Sequence, residues 1–471
     1  MALSSPRCAA RANANANAAS NTKLTKRSPN VMGASSNPKV THHNHHSHHQ
    51  HHREGNIKVF LISDVHFDAK ENERFIEQMP SFLNNNNNKD DDCYSILIIA
   101  GDVAEKLSDL ERCLRMCLKK FDCVFYTFGN HDLWCASKEE EEEKCSLEKI
   151  QSVFKLCERL GVKTDPSSGE EIGGSNDDDA KRRVFIAPVH SWYEREFDTE
   201  EEVEAPEGVS IPGVERVMTD YRLCKWPKLD AWKKEITTTT TTIKSDDYYI
   251  SKKIDALNDA DGKFERFLEN VKRAKEEGKD VTVITFSHFL PRIELIPEKR
   301  FLLYPKLTQA VGSHILNERI ERVTEILHLG KSGKDSHTHA FGHTHFGWNL
   351  VLENNVRYVQ AALATPKEWV RRPRSLVVGE FFSNAPGNSP LLLYDSRTNA
   401  FSGSSSNIKE YNPGLWAKYY EENARDSSNK TLAPWVLSYV SRVWGSRELK
   451  KSMMMTSNTD ASPLPGKSGQ V

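Results

Sequence analysis

Five short polar clusters in this sequence each begin where a run of apolar residues ends. The runs IKVFLI, SILIIA, CVFYTF, VTVITF and HAF are followed by SDVH, GDVAE, GNHDLW, SHFLPR and GHTHFGW. Carboxylate, imidazole and amide ligands without thiolates suit divalent Mn, Fe or Zn rather than a structural zinc. Seven side chains of this kind are more than one ion needs, so the clusters predict a binuclear metal centre. These candidate ligands are Asp64, His66, Asp102, Asn130, His288, His343 and His345.

The stretch SHTHAFGHTHFG contains two His-Thr-His triplets, and its two halves receive different interpretations. Residues two apart on an extended segment point the same way, so His343 and His345 can present ligands to one pocket. They also follow a short apolar run and a glycine, as Asp102 and Asn130 do. Ser336, His337 and Thr338 follow GKSGKD and are predicted to form the loop that leads into the strand, with His337 in a solvated turn.

Eight apolar runs predict the strands that position these clusters. Near-continuous apolar runs are typical of strands covered on both faces. A helical stripe in AEKLSDLERCLRMCLKKF separates two of them, and alternating strands and helices indicate an α/β layered fold. Ligands then collect at the carboxyl ends of the strands, where open α/β sheets build their sites. The predicted strands are 57–62, 95–100, 123–128, 183–187, 281–286, 339–341, 356–360 and 391–394.

In this order, the motifs Asp-x-His, Gly-Asp, Gly-Asn-His-Asp, His and Gly-His-x-His resemble the calcineurin-like metallophosphoesterase family. The resemblance covers about residues 56–396, and segments such as FSHFLPR, SWYEREFD and FGHTHFGWN resemble a plant and algal subgroup. It implies a four-layer α/β/β/α sandwich of the metallo-dependent phosphatase type. One departure is Ser287, because many members have a glycine before this histidine, and the conformation of that loop is left open.

The resemblance also implies the role of each candidate residue. One metal ion would be held by Asp64, His66, Asp102 and His345, and the other by Asp102, Asn130, His288 and His343. His131 would be the acid near the leaving group, oriented by Asp132. The cofactors implied are two divalent or trivalent ions, with Mn, Fe and Zn all left open.

The function implied is a binuclear metal-dependent hydrolase of phosphate monoesters or diesters that uses a metal-bridging hydroxide. Two divalent ions and the carboxylates of Asp64 and Asp102 leave a net positive pocket, which favours an anionic phosphate. Arg292 either clamps that phosphate or forms a surface ion pair. Among the aromatic residues near the clusters, packing is favoured over a substrate-facing wall for Trp134, Trp192, Tyr193 and Trp348.

Two alternatives to this enzyme remain. One is a non-catalytic scaffold that keeps the fold, and the presence of every ligand weighs against it. The other is a nuclease or nucleotide hydrolase of the same family. The formal net charge is only −2 and the motifs lack a basic stripe, so the sequence gives no strong evidence for nucleic acid as a partner. The expected partner is a phosphate ester, and the oligomeric state is left open.

The amino-acid composition indicates the cellular compartment of the protein and how much of the chain folds. Of 471 residues, 38% are hydrophobic and 28% are charged, so part of the chain is expected to stay unfolded. Nine cysteines with none after Cys224 do not resemble a disulfide framework, and Cys113 and Cys117 are predicted to be buried thiols. We therefore expect a reducing, intracellular compartment and no membrane segment.

Three regions are predicted along the chain. Residues 1–55 form a basic, histidine-rich segment that is expected to be disordered and is either a plain tail or a transit peptide. The predicted location is therefore a plastid or other organelle, or the cytoplasm. Residues 56–396 form the metallophosphoesterase domain, with polar surface loops at 83–92, 138–144, 164–183 and 237–242. Residues 397–471 are predicted to be mostly disordered, with a docking helix at 432–444.

Overall fold

Two β-sheets form the centre of this protein, for which we use a computed structural model. The structure describes residues 52–54, 56–83, 93–135, 145–167, 169–173, 182–237, 244–328, 335–371, 389–398, 400–401 and 414–450. The strands are β1 (His52–Glu54), β2 (Asn56–Ile62), β3 (Cys93–Ala100), β4 (Cys123–Thr127), β5 (Glu170–Gly173), β6 (Arg182–Pro188), β7 (Asp280–Phe286), β8 (Ser336–Phe341), β9 (Trp348–Val351), β10 (Arg357–Gln360), β11 (Leu391–Asp395) and β12 (Ala400–Phe401). The helices are α1 (Lys70–Gln78), α2 (Leu107–Leu118), α3 (Ser146–Leu160), α4 (Val214–Val217), α5 (Asp220–Leu223), α6 (Leu229–Thr237), α7 (Asp246–Asp255), α8 (Lys263–Glu276), α9 (His314–Leu327), α10 (Pro366–Arg371), α11 (Gly414–Glu422) and α12 (Pro434–Trp444).

The first sheet has the strand order β12-β11-β2-β3-β4, and the second has the order β1-β5-β6-β7-β8-β10-β9. Strands β2, β3 and β4 run parallel, as do β6, β7, β8 and β10. A bridge between Ser63 and Ala362 joins the two sheets just beyond β2 and β10, with the Ser63 amide donating to the Ala361 carbonyl at 3.0 Å. The carboxyl ends of the parallel strands therefore meet along one edge.

Four layers follow from which side chains each face buries. Alternate residues of β2 and β3, such as Val59 and Ile98, share one core with residues of β6 and β7, such as Ile186 and Ile284, so the two sheets pack face to face. The opposite face of the first sheet packs against α1, α2 and α3, and that of the second sheet against α8 and α9. The predicted α/β/β/α sandwich is confirmed.

Helix α2 shows how a sequence stripe becomes one of these layers. Leu110, Cys113, Leu114 and Cys117 recur at helical spacing, and all four side chains are buried against the first sheet. Cys113 and Cys117 are free cysteines, as predicted. Their burial in the apolar core indicates a packing role.

The prediction of a solvated turn at His337 is wrong. Strand β8 begins at Ser336, because its backbone pairs with β7 from Thr282 onward, so His337 lies inside the strand and is only 2% exposed. Its ring contacts the hydroxyls of Thr285, at 2.9 Å, and Thr324, at 3.2 Å. These two hydroxyls supply the hydrogen bonds that allow a histidine to be buried there.

Two polar or tail segments contain more structure than predicted. Within 164–183, β5 pairs antiparallel with β6, and its backbone hydrogen bonds offset the polar composition. In the expected disordered tail, α11 places Tyr420 in a stacked contact with the buried Trp348. Helix α12 overlaps the docking helix predicted at 432–444, and it buries Val436 and Val440 against the domain. Most of the predicted loops at 83–92, 138–144 and 237–242, and residues 1–51, lie outside the described residues. None of the described helices is long and apolar enough to cross a membrane.

Candidate metal centre

The seven candidate ligands lie together at the shared edge of the two sheets. Asp64 and His66 follow β2, Asp102 follows β3 and Asn130 follows β4, all in the first sheet. His288 follows β7, and His343 and His345 follow β8, all in the second sheet. Each of the seven is at most 6% exposed. The bridge beyond β2 and β10 thus brings ligands from opposite sheets into one buried cluster.

Four of these residues form the first half of the cluster. One ligand atom from each of Asp64, His66, Asp102 and His345 lies within 4.8 Å of all the others. Nε2 of His345 is 3.3 Å from Oδ1 of Asp64 and 3.0 Å from Nε2 of His66. The opposite nitrogen of His345 is 2.7 Å from a carboxylate oxygen of Glu368. Because Nδ1 of His345 faces Glu368, the lone pair of Nε2 is left to face Asp64 and His66.

Asn130, His288 and His343 form the second half around the other side of Asp102. Oδ1 of Asn130 lies 3.1 Å from Nε2 of His288 and 2.9 Å from Nδ1 of His343. Nδ1 of His288 donates to the Ala100 carbonyl, and Nε2 of His343 donates to the Ala310 carbonyl. The remaining nitrogens therefore face the amide oxygen, and Nε2 of His288 is 3.4 Å from Oδ1 of Asp102.

These residues fit a pair of cations. In each half, nitrogen and oxygen atoms that can act as metal ligands lie within hydrogen-bond distance of one another. There are too few protons to make each of these contacts a hydrogen bond, and a bound cation would relieve the repulsion between the ligand atoms. The backbone is also strained here: Asp64, His66, Asp102, His343 and His345 have φ between 43° and 76°, a region that residues other than glycine seldom adopt. Such strain costs about 1–3 kcal/mol per residue and gathers at functional sites.

The electrostatics keep most of these groups in the metal-binding form. Burial raises the pKa of Asp64, but His345 outweighs this effect and lowers the pKa to about 2. Burial lowers the pKa of His66 to about 4 and that of His343 to about 3, so both imidazoles are neutral at pH 7. His288 differs, since burial lowers its pKa but Asp102 raises it to about 9. A cation that binds to His288 must therefore displace a proton.

Two buried carboxylates that the sequence analysis missed hold ligands in place. Glu368 contacts His345, and its Oε2 also accepts hydrogen bonds from the amide and hydroxyl of Thr365. Asp220 accepts a hydrogen bond of 2.9 Å from the amide nitrogen of Asn130, which turns the amide oxygen toward the histidines. Partners of this kind fix the orientation of a ligand. The pattern Thr-x-x-Glu at Thr365 is a helix capping box and was the available signal for Glu368.

Asp132 does not orient His131 as predicted. Its Oδ2 accepts from the backbone amides of Asp102 and Gly129, and its Oδ1 accepts from those of Val103 and Ala104, at 2.8–3.0 Å. Four backbone donors occupy the carboxylate, so Asp132 fixes the loop that carries Asp102. The ring of His131 instead lies 3.7 Å from the ring of Trp134, and its Nε2 is 3.9 Å from Oδ2 of Asp102.

Of the two roles left open for Arg292, a phosphate clamp and an ion pair, the structure shows the ion pair. Its guanidinium is 2.8 Å from Glu294 and 2.5 Å from Glu353, so both of its neighbours are carboxylates. Packing likewise describes the aromatic candidates, of which Trp134, Trp192, Tyr193 and Trp348 are all at most 9% exposed. Trp134 has a further contact, because its indole N–H donates to Asp220 at 2.7 Å.

Replacing Gly101 should strain the loop before Asp102 and displace His288. Gly101 has φ of 82°, and a Cβ there would lie 2.5 Å from Nδ1 of His288. The left-handed backbone costs an alanine about 1–2 kcal/mol, and the clash should cost roughly 1–3 kcal/mol more. Gly161→Ala is the control, since φ is 80° and nothing lies within 4 Å of its Cβ. Urea unfolding of the metal-free protein would contradict this account if both variants lost the same free energy of unfolding.

Replacing Glu368 should weaken metal binding without unfolding the domain. Glu368→Gln keeps an acceptor for Thr365 but removes the charge that holds Nδ1 of His345. We expect the affinity for Mn²⁺ to fall about 10–100-fold, measured by titration of the metal-free protein. Glu276→Gln, on a side chain that is 65% exposed, is the matched control. Equal affinities in wild type and Glu368→Gln would show that Glu368 has no part in the site.

Parts of this chain are similar to known proteins. Residues 57–214 match the family model described as calcineurin-like phosphoesterase. A curated relative is the acyl-carrier-protein phosphodiesterase PptH of Mycobacterium tuberculosis, 27% identical over 182 residues. That match covers 37% of this chain and 50% of the relative, so the chain spans about half of the relative's length.

Two solved structures are also similar. The phosphopantetheinyl hydrolase PptH of Mycobacterium tuberculosis has 19% sequence identity and a TM-score of 0.39, over 68% of this chain and 94% of that one. A dimetal phosphatase from Danio rerio has 10% identity and a TM-score of 0.30, over 66% of this chain and 87% of that one.

Proposed function

From the match of residues 57–214 to the calcineurin-like phosphoesterase family model, we propose that this protein is a binuclear metal-dependent hydrolase of phosphate esters. The observation that carries the proposal is the buried convergence of Asp64, His66, Asp102 and His345 within 4.8 Å. Asn130, His288 and His343 complete the set of seven ligands. In this assignment, the carboxylate of Asp102 is shared, because it lies in the four-residue group of the first half and 3.4 Å from Nε2 of His288 in the second half.

Metal ions bound by these residues would supply activation of water and neutralisation of charge on the phosphoryl oxygens. The chain's own residues position that chemistry. Glu368 and Asp220 fix the ring of His345 and the amide of Asn130, and Asp132 fixes the loop of Asp102 through backbone amides. Because these groups are already in place before substrate binds, little reorganisation is needed during the reaction.

His131 would donate a proton to the departing alkoxide. Its side chain is 24% exposed, so it is the most accessible of the imidazoles around the cluster and lies where a leaving group would depart into solvent. Contact with the ring of Trp134, tilted by 30°, restricts its ring, and its backbone amide donates to Oδ1 of Asp102 at 2.9 Å. The position of His131 is therefore fixed relative to Asp102, the residue that both halves of the site share.

The experiment that tests this function uses the purified full chain and two aryl substrates, p-nitrophenyl phosphate and its bis ester. We expect hydrolysis that stops on chelation and returns with Mn²⁺, Fe²⁺ or Zn²⁺, and the ratio of the two rates distinguishes a monoesterase from a diesterase. No hydrolysis with any of the three metals would favour the non-catalytic scaffold. A steep loss of activity with salt on polynucleotides would favour the nuclease alternative.

A further inference from the structure

A cavity of about 510 Å³ lies beside the metal centre, between the segment that follows β6 and helices α5 to α7. Asp220 is common to both places, because it lines the cavity and also holds the amide of Asn130. Tyr193 is another shared wall, since its ring centre is 6.4 Å from that of His343. Cavities of this volume accept small organic ligands.

The apolar part of the cavity wall is aromatic. Trp192 stacks on Tyr193 with ring centres 4.9 Å apart and meets Trp226 edge to face at 5.4 Å. Tyr221 adds a further ring and donates from its hydroxyl to Asp247 at 2.6 Å. Four rings around one space offer several π faces, which attract cations through their quadrupoles. The aromatic residues are Trp192, Tyr193, Tyr221 and Trp226.

Apart from residues that form salt bridges, the charged residues of the cavity wall are acidic. Arg195 is 3.4 Å from Glu215, and Asp246 is 2.6 Å from Lys233, so these carboxylates have a cationic partner. Asp220 and Asp247 are 2% and 3% exposed, and neither forms a salt bridge with any described residue. Burial raises the pKa of Asp247 to about 7, and the hydrogen bond from Tyr221 and the charge of Arg195 oppose this effect only in part.

Two buried polar atoms of the wall are also without partners of normal geometry among the described residues. They are Oδ2 of Asp220, a hydrogen-bond acceptor, and the indole N–H of Trp192, a donor. A buried polar group without a partner costs about 1–3 kcal/mol. Both atoms belong to residues that line the cavity.

We propose that this cavity binds an organic ammonium group, with the aromatic rings facing the cation and Asp247 and Asp220 supplying the countercharge. Two sources of that group are consistent with the walls. One is the alcohol half of the phosphate ester, such as an amino-alcohol ester, in which case the inference rests on the proposed function. The other is a free amine that binds beside the metal centre.

The binding test uses choline as the probe on the full-length protein loaded with Mn²⁺ at pH 8. Calorimetric titration should show binding at least about tenfold tighter than that of the neutral isostere in which carbon replaces the quaternary nitrogen. Asp247→Asn should weaken choline about tenfold, whereas Asp230→Asn, on a side chain that is 93% exposed, should not change it. Trp226→Leu, which removes one ring, is a second variant that should also weaken binding.

Equal binding of choline and its isostere, or no heat with choline at all, would overturn the inference. So would an unchanged affinity in both Asp247→Asn and Trp226→Leu. Because this titration needs no turnover, a protein that binds choline but hydrolyses no phosphate ester would refute the proposed function and leave the ammonium site standing.

The values of kcat/KM for phosphocholine and for p-nitrophenyl phosphate show whether the ammonium group belongs to the substrate or to a free amine. If it belongs to the substrate, Asp247→Asn should lower kcat/KM for phosphocholine about tenfold more than for the aryl ester. If the ligand is a free amine, choline should bind as above while the ratio of the two kcat/KM values is the same in wild type and variant.

Discussion

Asp102→Asn should nearly abolish hydrolysis and reduce the metal content of the protein. Asp102 faces His288 at 3.4 Å on one side and shares the four-residue cluster with Asp64 and His66 on the other. Asparagine keeps the oxygen that accepts from the amide of His131, so the loop should survive, but the charge between the two halves is lost. Losing several kcal/mol of metal-based stabilisation corresponds to about 10³-fold in rate.

The measurement pairs kcat on p-nitrophenyl phosphate with elemental analysis of the same samples. Asp230→Asn is the matched control, since it makes the same substitution on an exposed residue and should behave as wild type. A variant at Asp102 that kept full metal content and at least a tenth of the wild-type rate would remove Asp102 from the site. Thermal melts of the metal-free proteins show whether the variant folds.

His131→Asn should impair poor leaving groups far more than good ones. Asparagine keeps a polar side chain near the position of the imidazole but cannot serve as an acid. Loss of a general acid costs about 10²–10⁴-fold when the leaving alkoxide needs a proton. An aryl leaving group such as p-nitrophenolate departs without one, so that substrate should lose much less.

The comparison is the ratio of kcat on an alkyl phosphate to kcat on p-nitrophenyl phosphate, in wild type and variant. His314→Asn serves as control because His314 is exposed at the start of α9, where its ring contacts the Glu196 carbonyl. Equal losses on both substrates would exclude the acid role for His131 and assign it to positioning. Metal content measured alongside separates either result from loss of an ion.

The ligand pattern was visible in the sequence because the fold creates it. Strands that are covered on both faces leave unbroken apolar runs, and a polar residue directly after such a run lies at the edge where sites form. Asp102 after SILIIA and His288 after VTVITF are therefore recognisable without coordinates. Apolar runs also predicted β2, β3, β4, β6, β7, β8, β10 and β11, but not the short strands β1, β5, β9 and β12.

The residues that support the ligands were harder to find, since nothing in the chain order ties them to the site. Asp132 is next to His131 in sequence, yet its carboxylate is taken by backbone amides of two loops, a competition that only the fold reveals. Asp220 reaches Asn130 from 90 positions away. His337 was misjudged because glycines before it suggested a turn, whereas pairing with β7 extends the strand through Ser336.

The account's central claim is that this edge of the two sheets holds two metal ions. Anomalous diffraction at the manganese edge, from crystals grown with Mn²⁺, tests it most directly. We predict two peaks, one beside Asp64, His66 and His345 and one beside Asn130, His288 and His343, with Asp102 touching both. A single peak, or peaks away from these residues, would contradict the account.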